Sequence, residues 1–181
     1  MGTTELLLAA RGEVQLASAK GRFFMAVSEV IDRLQSLVGA PLHIETVRTG
    51  TPQVFSPDTQ SVVVLNGVAE NGGVPYDSAF GQYSLRAGKL YELEAYLHFF
   101  GFTAPGTNQV EFAWTRGATE LKPPVRGFAY AGNTDLNITS QPVAKVLYRP
   151  DVDEAVQISI MRADDQVSLG VGSFAIVREI G

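Results

Sequence analysis

Two histidines, His43 and His98, are the only imidazoles in a chain of 181 residues that contains no cysteine. Zinc chemistry needs clustered thiolates or imidazoles, and here neither a Cys/His cluster nor an H-E-x-x-H pair exists. His43 lies between Leu42 and Ile44, and His98 lies within a run of alternating apolar residues, so His98 reads as a packed or interfacial side chain rather than a base. The stretch "GVGSFA", Gly170 to Ala175, fits G-x-G-x-x-A. It leads into a strand-like run, and the helix and the later acid of a dinucleotide site do not follow, so it reads as glycine-permitted close packing. The same stretch fails as a nucleophile elbow, because Ala175 follows where the second glycine and a helix are required. Carboxylates cluster in "DVDE" (Asp151, Asp153, Glu154) and "RADD" (Asp164, Asp165), on either side of one apolar run. Oxygen ligands in loops suit Ca²⁺, and Asp151, Asp153 and Asp164 are the candidates; solvated turn carboxylates are the alternative. "NIT", Asn137 to Thr139, is a glycosylation acceptor only in a secretory pathway. No catalytic residue, cofactor site or metal site is expected, and the chain reads as a non-enzyme.

The elements that would position these groups fall into two regimes. The chain is 45% hydrophobic and 18% charged, enough to bury a core. A net charge of −5 lacks the basic footprint of nucleic-acid binding. No stretch is long and apolar enough to span a bilayer as a helix, so no membrane insertion is expected. The opening "MGTTELLLAARGEVQLASAK" lacks a basic start and reads as a helical or docking arm rather than a signal peptide. Leu6 stands where myristoylation of Gly2 wants Ser or Thr. In "GRFFMAVSEVIDRLQSLVGAP" the apolar residues Phe23, Val27, Val30, Leu34 and Leu37 recur in steps of four and three. That spacing predicts an amphipathic helix with a heptad-like stripe, packed on its own domain or against other subunits and closed by Gly39 and Pro41.

Residues 41–60 are rich in Thr, Pro and Ser and read as a connector between a 1–40 arm and a 61–181 head. From Ser61 onward, short β-rich runs alternate with Gly, Pro, Asn and Asp clusters, as expected of an all-β sandwich or barrel. In "YELEAYLHFF" Tyr91, Leu93, Ala95, Leu97 and Phe99 share one side, while Glu92, Glu94, Tyr96, His98 and Phe100 share the other. In "SFAIVREI" both sides are apolar, Phe174, Ile176 and Ile180 against Ala175 and Val177. A strand apolar on both faces is expected to be covered on both.

The segment "NGGVPYDSAFGQYSLRAGKLYELEAYLHF" is similar to the central block of the tumour-necrosis-factor-like and complement-globular-head jelly-roll superfamily. The matching residues are Asn71, Tyr76, Asp77, Gly81, Tyr83, Gly88 and Tyr91, and Phe174 resembles the aromatic of the family's last strand. The resemblance covers about residues 61 to 181. It implies a mainly β, jelly-roll sandwich head that forms a homotrimer, with Tyr96, His98, Phe100, Phe174 and Val177 as trimer-interface residues. The helix of Phe23, Val27, Val30, Leu34 and Leu37 would then be a trimeric stalk or particle anchor. The first sixty residues depart from the family, with neither a collagen repeat nor a membrane anchor. A cysteine-free acidic chain with a helical arm before such a head resembles a bacteriophage virion structural protein.

The expected function is therefore that of a trimeric capsid decoration or cement protein or head fibre. Its partner would be the major capsid protein or another virion protein, and assembly would take place in the host cytoplasm. The alternative is a tail-fibre tip or receptor-binding head, with a host surface glycan or protein as partner. The aromatics of "HFFGFTAPGTN" and "RGFAYAGNTD" would then stack on sugars, or else belong to the trimer core. A cupin-like enzyme needs clustered histidine and carboxylate ligands, which His43 and His98 do not supply.

Overall fold

The computed structural model describes residues 42–102, 108–130 and 143–181. The chain divides into two units, Met1–Ala40 and Pro41–Gly181, and the described residues belong to the second. The expected helix with Phe23, Val27, Val30, Leu34 and Leu37, and the sequon at Asn137, lie outside them.

Among the described residues there are fifteen strands, numbered here in chain order, and no helix. One sheet contains five: β1 (His43–Val47), β4 (Gly67–Asn71), β7 (Tyr91–Tyr96), β12 (Val143–Tyr148) and β15 (Phe174–Glu179), in the order β12-β7-β15-β1-β4. The second is built on β9 (Gln109–Arg116) and β13 (Glu154–Ala163). These are flanked by β5 (Tyr76–Asp77), β6 (Gln82–Leu85) and β10 (Thr119–Glu120) in the order β10-β9-β13-β6-β5. Also in it, β11 (Arg126–Tyr130) pairs with β9 and β3 (Ser61–Val62) with β13. A small third sheet, β2 (Gln53–Phe55), β14 (Val167–Leu169) and β8 (Phe99–Phe100), joins strands from distant parts of the chain.

Each long strand feeds the core from one side, as alternation requires. Tyr91, Leu93 and Ala95 of β7 and Ala175 and Val177 of β15 are buried on the first sheet. Val110, Phe112 and Trp114 of β9 and Val156, Ile158 and Ile160 of β13 meet them from the second. Side-chain hydrogen bonds cross between the sheets, among them one from the Tyr148 hydroxyl to Glu154. Thr46 Oγ1 and the Tyr83 hydroxyl lie 2.5 Å apart, and Trp114 Nε1 donates to the Ala144 carbonyl at 3.2 Å. Buried polar groups are tolerable here because each has a partner. Burial pushes the Tyr83 phenol far above its usual pKa, so it stays protonated.

Two expectations are corrected here. Residues 41–60 are not a connector, because β1 lies inside the first sheet between β15 and β4, and β2 belongs to the third sheet. The head therefore includes the segment from Leu42. Val177 is not an interface residue, because it is fully buried in the protomer's own core.

Candidate functional site

The residues that carried the family resemblance hold turns and core contacts. Asn71 Oδ1 accepts the Gly73 amide at 3.0 Å, and Asp77 Oδ1 accepts the Ala79 amide at 2.9 Å, both short-range turn bonds. The Tyr76 hydroxyl donates to the Leu65 carbonyl at 2.6 Å and accepts the Leu65 amide at 3.1 Å, clamping an extended loop. Burial pushes its pKa up to about 12. The Tyr91 hydroxyl accepts the Arg86 amide at 3.0 Å. Gly81 has φ +66°, and a Cβ there would stand 2.5 Å from the Val63 carbonyl oxygen, so both conformation and space call for glycine.

The outward face of the first sheet carries a different pattern. Register places Val143 opposite Tyr96, Tyr96 opposite Phe174, and Phe174 opposite Val47. These four side chains form one apolar row across β12, β7, β15 and β1, about 15 Å long at the usual strand spacing. Tyr96 and Phe174 stack with ring centroids 4.5 Å apart and planes 15° apart. Val143 is 41% exposed, and the other three are half-buried.

Beside the row runs a belt of paired charges. The Tyr96 hydroxyl donates to Glu94 Oε2 at 2.8 Å, and Lys145 binds the other Glu94 oxygen. Lys145 also reaches Glu92 at 2.7 Å, and Arg178 meets Glu92 at 3.4 Å. The Lys145 hydrogen bond, helped by that of Tyr96, holds the Glu94 carboxyl below its ordinary pKa. Hydrogen bonds to Glu92 and Glu94 hold the Lys145 ammonium above its ordinary value. The charges of Glu92, Glu94, Lys145 and Arg178 balance one another, so the stacked pair is flanked on the β7 and β12 side by neutralised groups.

The predicted interface set thus separates into three places. Tyr96 and Phe174 come together on the row. His98 and Phe100 form a second pair, 6.1 Å apart, against the turn at residues 170–173. His98 Nδ1 lies 3.0 Å from the Val171 carbonyl. A Cβ on Gly170 would meet the Phe100 ring at 2.9 Å and His98 Nδ1 at 3.0 Å, so "GVGSFA" is a site of close packing. Val177 is core. Val47 and Val143 were not anticipated; the signal for Val143 was its place one residue before the buried Ala144 in "VAKVLY".

The opposite outward face, on β9 and β13, is built from small and amide side chains. Thr115 Oγ1 and Ser159 Oγ lie 2.7 Å apart. The Gln157 amide donates to the Gly117 carbonyl at 3.3 Å and accepts from Gln82 at 3.1 Å. The carboxylates weighed for Ca²⁺ stand at opposite ends of the ten-residue β13, about 30 Å apart, and cannot share an ion. Asp153 accepts the Ala87 amide at 2.7 Å, and Asp164 pairs with Arg162 at 2.7 Å. No group of three potential metal ligands occurs among the described residues. His43 pairs with Glu70 at 2.8 Å on β4.

No family model and no curated protein matches the chain. Solved structures do. The Eiger TNF of S. frugiperda superposes with a TM-score of 0.56 at 9% identity, over 78% of this chain and 94% of that one. The globular domain of zebrafish complement 1qA protein gives 0.52 at 10% identity, over 78% and 98%. Murine APRIL gives 0.53 at 12% identity, over 78% and 100%. The chain has the jelly-roll fold of tumour-necrosis-factor-like and complement globular domains.

Proposed function

We propose that this chain is a non-enzymatic structural protein of a bacteriophage virion. It assembles as a homotrimer through the outward face of its first sheet and is attached to the particle through residues 1–40. The observation that carries the assembly is the row of Val143, Tyr96, Phe174 and Val47. A stacked aromatic pair at the centre of an apolar strip, with its flanking charges already paired, has the make-up of an interface core. Leaving it in water forgoes burial worth about 25 cal/mol per Å². A threefold arrangement is what the fold resemblance implies. The virion assignment draws on the cysteine-free acidic composition and on the heptad-like stripe of Phe23 to Leu37. Three copies of one arm would turn weak single contacts with a capsid into firm attachment by effective concentration.

Mass photometry and light scattering of the full chain at micromolar concentration test the assembly. A trimer is expected; a stable monomer would remove the basis of the proposal. Attachment is tested by adding the full chain, and the chain lacking residues 1–40, to phage particles assembled without it. The full chain should decorate the particle and the truncated one should not. Full occupancy by the truncated head would make the head the anchor, and no binding by either would sink the virion assignment.

A further inference from the structure

Strand β11 reverses the usual size pattern. Its inward residues are Gly127 and Ala129, and its outward ones are Arg126, Phe128 and Tyr130. The core side has no room for more, since a Cβ on Gly127 would sit 2.2 Å from the Phe112 ring. The large residues are left outside, with Phe128 42% and Tyr130 54% exposed. Their rings lie 6.5 Å apart with planes only 14° from parallel.

The neighbours on β9 are polar, planar and already fixed. Register puts Glu111 opposite Phe128 and Gln109 opposite Tyr130. Glu111 is 8% exposed, accepts the Gln109 amide at 2.6 Å and pairs with Arg126 at 2.6 Å. Arg126 also holds Glu120, and Arg162 holds Asp164 at 2.7 Å. The charges around the two rings are therefore committed to one another. A charged ligand would have to break these pairs, and a protein interface core is ordinarily depleted of such charge. What the platform leaves on offer is two parallel apolar faces edged by immobilised hydrogen-bonding groups. A pyranose matches that pattern, with a face of C–H bonds and a rim of hydroxyls.

We propose that Phe128 and Tyr130 form a stacking platform for neutral sugars of a surface glycan, whose hydroxyls are received by the Gln109 amide and by the Arg126 guanidinium that Glu111 holds in place. Electron-rich ring faces attract the slightly positive C–H bonds of a sugar. Side chains ordered before the ligand arrives lower the entropic cost of binding. The site lies on the outward face of the second sheet, on the strand that adjoins β12, and stands whether or not the chain trimerises or joins a particle.

The test is calorimetric titration of the full chain with maltohexaose, cellohexaose, mannohexaose and chitohexaose. Binding to at least one is expected, persisting at high salt because the ligand is neutral. Phe128→Ala and Tyr130→Ala should each weaken it by about tenfold. Phe128→Tyr should retain it, and Phe80→Ala, an exposed aromatic elsewhere, should leave it unchanged. The proposal is overturned by silence across the four sugars, by binding that survives both alanine variants, or by equal loss in Phe80→Ala. Loss of binding in high salt would overturn it as well, by showing a charge-driven contact.

Discussion

The two outward faces of the sandwich solve the same problem differently. On β9 and β13 the outward side chains at the sheet centre are Thr115, Gln157 and Ser159, which bond to one another and to backbone. That face is hydrogen-bonded to itself and already covered within the protomer, with Thr115 and Ser159 fully buried. Across the first sheet the outward row is Val143, Tyr96, Phe174 and Val47; apart from the Tyr96 hydroxyl, held by Glu94, it has nothing to satisfy by bonding and gains only by leaving water. A sheet's second face therefore tells more about assembly than its first, because every sandwich buries the first.

The contrast can be broken most forcefully at its centre. Phe174→Asp places a carboxylate on the stacked pair and should raise the dissociation constant of the assembly about thirtyfold or more, the loss of a ~2 kcal/mol contact. Sedimentation should then show folded monomers; an unchanged trimer would place the row outside any interface. A smaller effect is expected on the opposite face. Ser159→Ala leaves the Thr115 hydroxyl only its long contact to the Gln157 carbonyl at 3.5 Å and should cost about 1 kcal/mol of protomer stability in urea, with no change in assembly. Adding Thr115→Val should recover part of that loss, because removing both partners leaves no unpaired group; strict additivity would show that the two hydroxyls do not depend on each other.

The mildest effect is one of pH. The Glu94 carboxyl lies below its ordinary pKa in the folded state, chiefly through Lys145. A depressed carboxylate adds stability that is complete above the unfolded value and fades as pH falls through the folded one. Stability should therefore drop on acidification below about pH 4.5, and Glu94→Gln should flatten that part of the curve while lowering stability at neutral pH. Identical slopes for the two proteins in stepwise urea titrations would show that the belt contributes nothing.

Much of the head was legible because long strands alternate cleanly. The two sides of β7 are as the sequence implies, and the motif from Asn71 to Tyr91 marks turns and core contacts that only those residue types can make. Other parts hid behind polar residues in core positions. In "HIETV" the inward residues are Ile44 and Thr46, and the buried threonine hydroxyl is met by the Tyr83 hydroxyl and the Ala175 carbonyl. One-dimensional patterning sees a polar residue and reads a connector. Val177 failed for a related reason. Both sides of β15 are apolar, and nothing local says that Ala175 and Val177 face in. The β11 platform was legible only as one of two alternatives, sugar stacking or trimer core, because nothing local says that the Phe112 ring fills the space beneath Gly127 and leaves Phe128 and Tyr130 outside.

Strand β15 lies between β7 and β1, so the sheet's interior is supplied by its last segment in the chain. Residues Thr46 and Ala175, in register on β1 and β15, are separated by 129 positions. Until residues near 179 leave the ribosome, β1 and β7 have no partner between them and expose their inner edges. The head can close only once β15 has been made, through a search among distant segments that makes such topologies slow to fold. During that interval the open edges of β1 and β7 can accept the β15 of another chain as readily as their own. Neighbouring nascent copies on one message would therefore face a choice between folding and strand exchange, settled by how fast each β15 reaches its own gap.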